Sequence, residues 1–254
     1  MKVIVLGAGS SAGTPVIGCS CKVCTEAHPL NCRTRASCYI MVGDVALLID
    51  TGPDLRQQAL REKLHEVSAV LYTHPHADHL NGIDDLRAFC FRHKKAIPVF
   101  GNQFTIQNIE ERFGYALLPP TTHWERPVLS AHVVDEPFLV NTVPVTPIPL
   151  LHGKWPILGY RVGNVAWLTD VSEIPESSFP LLEGLDVLFL DCLRYMPHYT
   201  HLSLDQAITL ATRIGARQTC FMHMTHEVDV IEAGKSLPDG MMFAFDGLQM
   251  EVSQ

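Results

Sequence analysis

The 254-residue sequence has no apolar run approaching the ~20 residues that a membrane-spanning helix requires, so no transmembrane segment is expected. It also lacks a secretory leader pattern: Met1-Lys2-Val3-Ile4-Val5-Leu6-Gly7 offers one positive charge and a short apolar stretch that soon meets glycines. A cytoplasmic location is the expectation, and with it free thiols rather than disulfides. There is no basic excess either. Lys and Arg total 19 against 27 Asp and Glu, and the net charge of −8 argues against a broad basic surface for nucleic acid. A small anionic substrate stays open, because bound cations reverse the local field of an acidic protein. No repeat, low-complexity tract or Gly/Ser linker interrupts the chain, so one domain over residues 1–254 is expected.

Apolar residues make up 47% of the chain, enough for a sizeable core, and their pattern alternates between strand and helix. Residues 3–6 read as a buried strand before a glycine- and serine-rich turn at 7–13. Ser37–Val42 and Val45–Ile49 flank Gly43-Asp44 as a hairpin. Residues 55–64 have helical spacing, and 69–72 form a short apolar run. Further strands are expected at 143–151, 159–162, Val165–Leu168, 187–190, 219–222 and 242–245. Ser203 and Gln206 form a capping-box pair ahead of a helix to Ile214, closed by Gly215. Hairpins mixed with strand–helix alternation predict two mixed sheets between helices.

Residues of metal-ligand type repeatedly follow the apolar runs: Asp50, His74, His152, Asp170, Asp191 and His223. Loops at strand ends are where scaffolds carry chemistry. The densest group is His74-Pro75-His76-Ala77-Asp78-His79, four potential ligands within six residues. His74 and His76 share a side of an extended segment, and Asp78 and His79 turn back as a helix begins. Imidazole with carboxylate suits Zn, Mn or Fe, and the choice among them stays open.

The segment from Val70 to Gly82, with Leu47-Leu48-Ile49-Asp50-Thr51-Gly52 ahead of it, resembles the signature of the metallo-β-lactamase superfamily. The resemblance implies a four-layer αββα sandwich of α/β (α+β) class with a dinuclear site between the sheet edges. It implies His74, His76 and His152 on one metal, Asp78, His79 and His223 on the other, and Asp170 bridging them. Asp50 would hydrogen-bond a ligand histidine or water from behind. Two such ions lower the pKa of a shared water and neutralise charge on phosphoryl or carbonyl oxygens, so hydrolysis is expected.

Most of the eight cysteines are scattered, but Cys19, Cys21 and Cys24 form a cluster. A tetrahedral zinc needs a fourth ligand, and His226, three residues beyond His223, is the best candidate. Three reduced thiols or a redox sensor are the alternatives. The segments Gly7-Ala8-Gly9-Ser10-Ser11-Ala12-Gly13-Thr14-Pro15, Gly18-Cys19-Ser20-Cys21-Lys22-Val23-Cys24, Arg33-Thr34-Arg35-Ala36-Ser37 and Phe245-Asp246-Gly247-Leu248 narrow the resemblance. They are similar to the phosphoribosyl 1,2-cyclic phosphate phosphodiesterase (PhnP-like) family of the carbon–phosphorus lyase pathway. That family implies a structural zinc on Cys19, Cys21, Cys24 and His226, and two catalytic metals, often manganese, that open a cyclic ribose phosphate.

It also implies His201, with Asp78, as a catalytic group, His201 protonating the leaving alkoxide; His198 is the competing histidine. The stretch 153–157 is expected as a lid whose Lys154 and Trp155 touch substrate, with an ordinary loop as the alternative, and 92–135 carries no recognisable motif. The expected partner is a small phosphate-containing substrate, with neither nucleic acid nor membrane; a homodimer rests on the base rate for soluble enzymes alone. Two other readings remain: tRNA 3′-end processing, which the acidic charge opposes, and a non-catalytic protein resembling the accessory protein of pyrroloquinoline quinone biosynthesis, which usually has a damaged ligand set.

Overall fold

The computed structural model describes residues 1–253. Its strands in chain order are β1 (Lys2–Gly7), β2 (Ser37–Val42), β3 (Val45–Ile49), β4 (Ala69–Leu71), β5 (Ile97–Gly101), β6 (Leu129–Val133) and β7 (Phe138–Val140). Then follow β8 (Val143–His152), β9 (Trp155–Val162), β10 (Val165–Leu168), β11 (Val187–Asp191), β12 (Gln218–Met222), β13 (Met241–Phe243) and β14 (Gln249–Glu251). The α-helices are α1 (Lys22–Glu26), α2 (Leu55–Arg61), α3 (Ala77–Leu80), α4 (Arg87–His93), α5 (Gln103–Phe113), α6 (Leu204–Ile214) and α7 (Val230–Ala233).

The strands form two seven-stranded sheets, ordered β14-β1-β2-β3-β4-β5-β6 and β13-β12-β11-β10-β9-β8-β7. Each begins as antiparallel hairpins and continues as parallel strands: β3 to β6 in the first sheet, β10 to β13 in the second. Alternate residues of the first sheet face opposite ways. Val3, Val5, Leu47 and Ile49 pack between the sheets against Trp167 and Phe189, whereas Ile4, Leu6 and Leu48 meet Leu55, Phe89, Ile106 and Ile109 of the outer helices. Both faces are covered, so β1 and β3 are apolar throughout rather than alternating. The helix α6 covers the second sheet through Leu204, Ala207 and Ala211. The result is the four-layer αββα order.

Two local expectations are corrected. The helix at 55 stops at Arg61, because Lys63 adopts φ 53° and the amide of Leu64 turns back to the carbonyl of Ala59 at 2.9 Å. The stretch 153–157 is no free lid. His152 pairs with Trp155, so Gly153-Lys154 is a two-residue hairpin turn and strand β9 begins at Trp155. Gly153 takes φ 62°, as the first residue of such a turn requires.

Candidate metal centre

The carboxyl ends of β3, β4, β8, β10, β11 and β12 converge at one edge of the sandwich, bringing Asp50, His74, His152, Asp170, Asp191 and His223 together. Three of them, Asp50, Asp170 and His223, hold left-handed backbone at φ 60°, 58° and 63°. Such conformations cost about 1–3 kcal/mol each and concentrate at functional sites. The loops pack closely enough that a Cβ on Gly52 would lie 2.2 Å from the carbonyl of Asp78, which leaves room for glycine alone.

Ligand atoms fall into two groups, each within 4.8 Å: His74, His76, His152 and Asp170, and Asp78, His79, Asp170 and His223. Asp170 belongs to both. Its Oδ2 lies 3.2 Å from His79 Nε2 and its Oδ1 3.4 Å from His223 Nε2. Asp50, fully buried, accepts from the Thr73 amide at 2.8 Å, the Thr73 hydroxyl at 2.7 Å and His79 Nδ1 at 2.7 Å. Since Thr73 Oγ1 donates to Asp50, it accepts from His74 Nδ1 at 3.0 Å. His152 Nδ1 donates to the carbonyls of Asp170 and Thr200 at 2.9 and 3.0 Å. In all three histidines Nδ1 is therefore fixed as a donor and Nε2 faces the centre, the nitrogen that would give its lone pair to a cation.

These donors fit divalent cations. His79 Nε2 and both His223 nitrogens are buried without a hydrogen-bond partner, a costly arrangement unless an ion receives them. Burial opposes charge on His79, but Asp170, Asp78 and Asp50 outweigh it and hold its pKa well above the ordinary imidazole value. The site thus has the anionic field that a cation neutralises.

Beside it, His201 Nδ1 donates to Asp191 Oδ1 at 3.0 Å while its Nε2 lies 3.8 Å from Asp170. Asp191 is locked in turn by the amides of Asp170 and Leu202, at 3.1 and 2.9 Å. Burial works against a charged His201, yet Asp191 raises it to about 9. Of the two competing histidines, His201 lines the central cavity. His198 instead takes the Thr200 hydroxyl at 3.0 Å. The cavity measures about 750 Å³, and Ser11, Lys154, Trp155, Tyr199 and Thr200 complete its wall.

Cys19, Cys21 and Cys24 lie around His226, their Sγ atoms 3.3, 3.3 and 3.6 Å from its Nδ1. Tetrahedral zinc with ordinary bond lengths separates sulfur and nitrogen by about 3.5 Å. The Cys24 amide and His226 pull the Cys21 thiol down to about 6, in the direction a metal thiolate needs. Below it, Arg33 is 2% exposed and ties the His226 loop by donating to the carbonyls of Thr225 and Val228 at 2.9 and 3.1 Å.

Several of these roles escaped the sequence reading. Arg33 is one of two arginines between Cys32 and strand β2, and nothing in the sequence distinguishes the buried Arg33 from Arg35. Thr73 was invisible as a relay. The motif-free segment 92–135 supplies α5, whose Arg112 donates to the Pro75 carbonyl at 2.9 Å and steadies the histidine loop from outside.

Residues 46–224 match the model of the beta-lactamase superfamily domain. Over 259 residues the chain is 35% identical to an octanoyltransferase of Porphyromonas gingivalis, covering 100% of this chain and 52% of that protein. The chain thus spans about half the length of that curated relative. A crystal structure of a new diphosphatase from the PhnP family matches with a TM-score of 0.91 and 38% identity, covering 98% of this chain and 97% of that one. Zinc-bound PqqB from Methylobacterium extorquens shares the fold at 18% identity and TM-score 0.82, covering 99% and 100%. The chain belongs to the beta-lactamase superfamily, with the metallo-β-lactamase fold, and within it resembles the PhnP family.

Proposed function

We propose that the protein is a phosphodiesterase with a dinuclear divalent-metal site, cleaving a small cyclic phosphate, phosphate diester or diphosphate. His74, His76 and His152 would hold one cation, Asp78, His79 and His223 the other, and Asp170 both. Manganese or zinc suits these donors; zinc suits Cys19, Cys21, Cys24 and His226. The observation that carries the reading is the His201–Asp191 pair aimed at a carboxylate shared by two ligand groups. The likeness to a PhnP-family diphosphatase over nearly the full length supports it.

The pair of cations, when bound, neutralises phosphoryl charge and supplies a nucleophile at neutral pH. The chain's own part is positional. Asp191 fixes the His201 ring so that Nε2 presents its proton to the departing oxygen, which leaves poorly without one. Asp50 and Thr73 fix the ring tautomers. Lys154 at the hairpin turn offers positive charge to the phosphate, and Trp155 an apolar face beside it. All seven ligand positions carry ligand residues, which favours an enzyme over an accessory protein.

The test is a panel of substrates with metal-reconstituted protein: a cyclic ribose phosphate, bis(p-nitrophenyl) phosphate, a dinucleoside diphosphate and an octanoyl thioester. At least one phosphate ester or anhydride should turn over, and His201→Ala should lower kcat by about 10²–10⁴ at unchanged metal content. Turnover of the thioester with none of the phosphates overturns the reading.

A further inference from the structure

Trp155 stands out among the three tryptophans. Trp167 is fully buried, whereas Trp155 leaves 43% of its surface exposed inside the catalytic cavity. Its ring lies 5.0 Å from that of the ligand His76, tilted by 45°, so a group resting on it sits one side chain from the metal centre. The indole is also held in place. Phe104 meets it edge-on at 5.3 Å and 69°. Asn102, which caps α5 by accepting from the Thr105 amide at 2.8 Å, donates from Nδ2 to the Pro156 carbonyl at 2.9 Å.

One helix start thus braces both the ring and the strand that carries it. On a second wall, Tyr199 is 83% exposed with its ring 4.6 Å from His198. The two walls touch, because a Cβ on Gly153 would lie 3.0 Å from Thr200 Cγ2. The rest of the lining is histidine, aspartate, serine, threonine, glycine and lysine.

A rigid aromatic face over a polar floor suits a planar π-system attached to a phosphate. We propose that Trp155 is a stacking platform for the nucleobase of a nucleotide substrate, and that Phe104 and Asn102 of the α5 start are its positioning residues. This rests on the phosphodiesterase reading above and specifies the substrate class.

The experiment compares calorimetric titrations of metal-loaded protein with AMP and with ribose 5-phosphate, alongside KM and kcat for a nucleoside 2′,3′-cyclic phosphate. AMP should bind about tenfold more tightly, the effect of one base stacked on an aromatic ring. Trp155→Ala should abolish that preference and Trp155→Phe keep part of it. Phe104→Ala should raise KM for the nucleotide more than it lowers kcat. Equal binding of the two phosphates, with diester turnover intact, overturns the platform and spares the phosphodiesterase. Failure to bind either phosphate, with no diester turnover, removes both. Should Trp155→Ala not fold, the Phe variant and Phe104→Ala still decide, since unchanged base preference in both overturns the proposal.

Discussion

Thr73 links His74 to the carboxylate that also holds His79, donating its hydroxyl hydrogen to Asp50 and accepting from His74 Nδ1. Thr73→Val keeps the shape and removes the relay, so metal affinity should fall by about 10–100-fold, while Thr73→Ser should hold it within a few-fold. Competition against a chelator measures this, and equal affinities for both variants would contradict the relay. At this scale the ligand-type residues were legible, because histidine and aspartate at successive strand ends have no use in a core. What sets their tautomers was not. A threonine is common after a strand, and only the fold brings Asp50 from β3 beside Thr73 from β4. The left-handed backbone of Asp50, Asp170 and His223 was equally hidden, since none is the glycine that usually announces it.

Helix α6 shows why some elements can be read so closely. Ser203 accepts from the Gln206 amide while Gln206 returns a bond to the Ser203 amide, and Gly215 ends the helix in left-handed backbone at φ 71°. Both signals are local in sequence, as are the glycine turns of the β2–β3 and β9–β10 hairpins. Ser203→Ala should cost about 1 kcal/mol in denaturant unfolding. An unchanged midpoint would mean that packing alone holds the helix. Residues 155–157 belong to a strand through their pairing with β8, which no local pattern reports, and so the expected lid is a hairpin. The end of α2 was misread for a similar reason: Leu64 continues the helical spacing but packs with the outer core from a reversed backbone. For 92–135, the contribution of α5 lies in what it touches, and an amphipathic helix says little about that in isolation.

Across the molecule, the cysteine cluster joins the N-terminal loop to the segment that follows β12, and His223 lies on that same segment. The Ser10 amide donates to the Met224 carbonyl at 3.1 Å and Arg33 secures the carbonyls beyond it. Full loading should therefore give three metal ions per chain, two at the paired site and one at the cysteines. Cys24→Ser should lose one ion and lower the thermal midpoint, read by elemental analysis and calorimetry. Retention of all three ions with an unchanged midpoint would show that Cys24 is not a ligand.

The amino group of Met1 donates to the Val252 carbonyl at 2.9 Å, and Lys2 pairs with Glu251 at the start of β1. Met1 also lies beside Gly163, at the hairpin end of the second sheet, away from the strand ends that carry the histidine and aspartate cluster. Residues 1 and 252 therefore adjoin on the blunt end of the sandwich. A circular permutant that bridges them with a short linker and opens the chain in an exposed outer loop should assemble the same centre. The same geometry lets another protein be spliced on at that end with the mouth of the central cavity still facing outward.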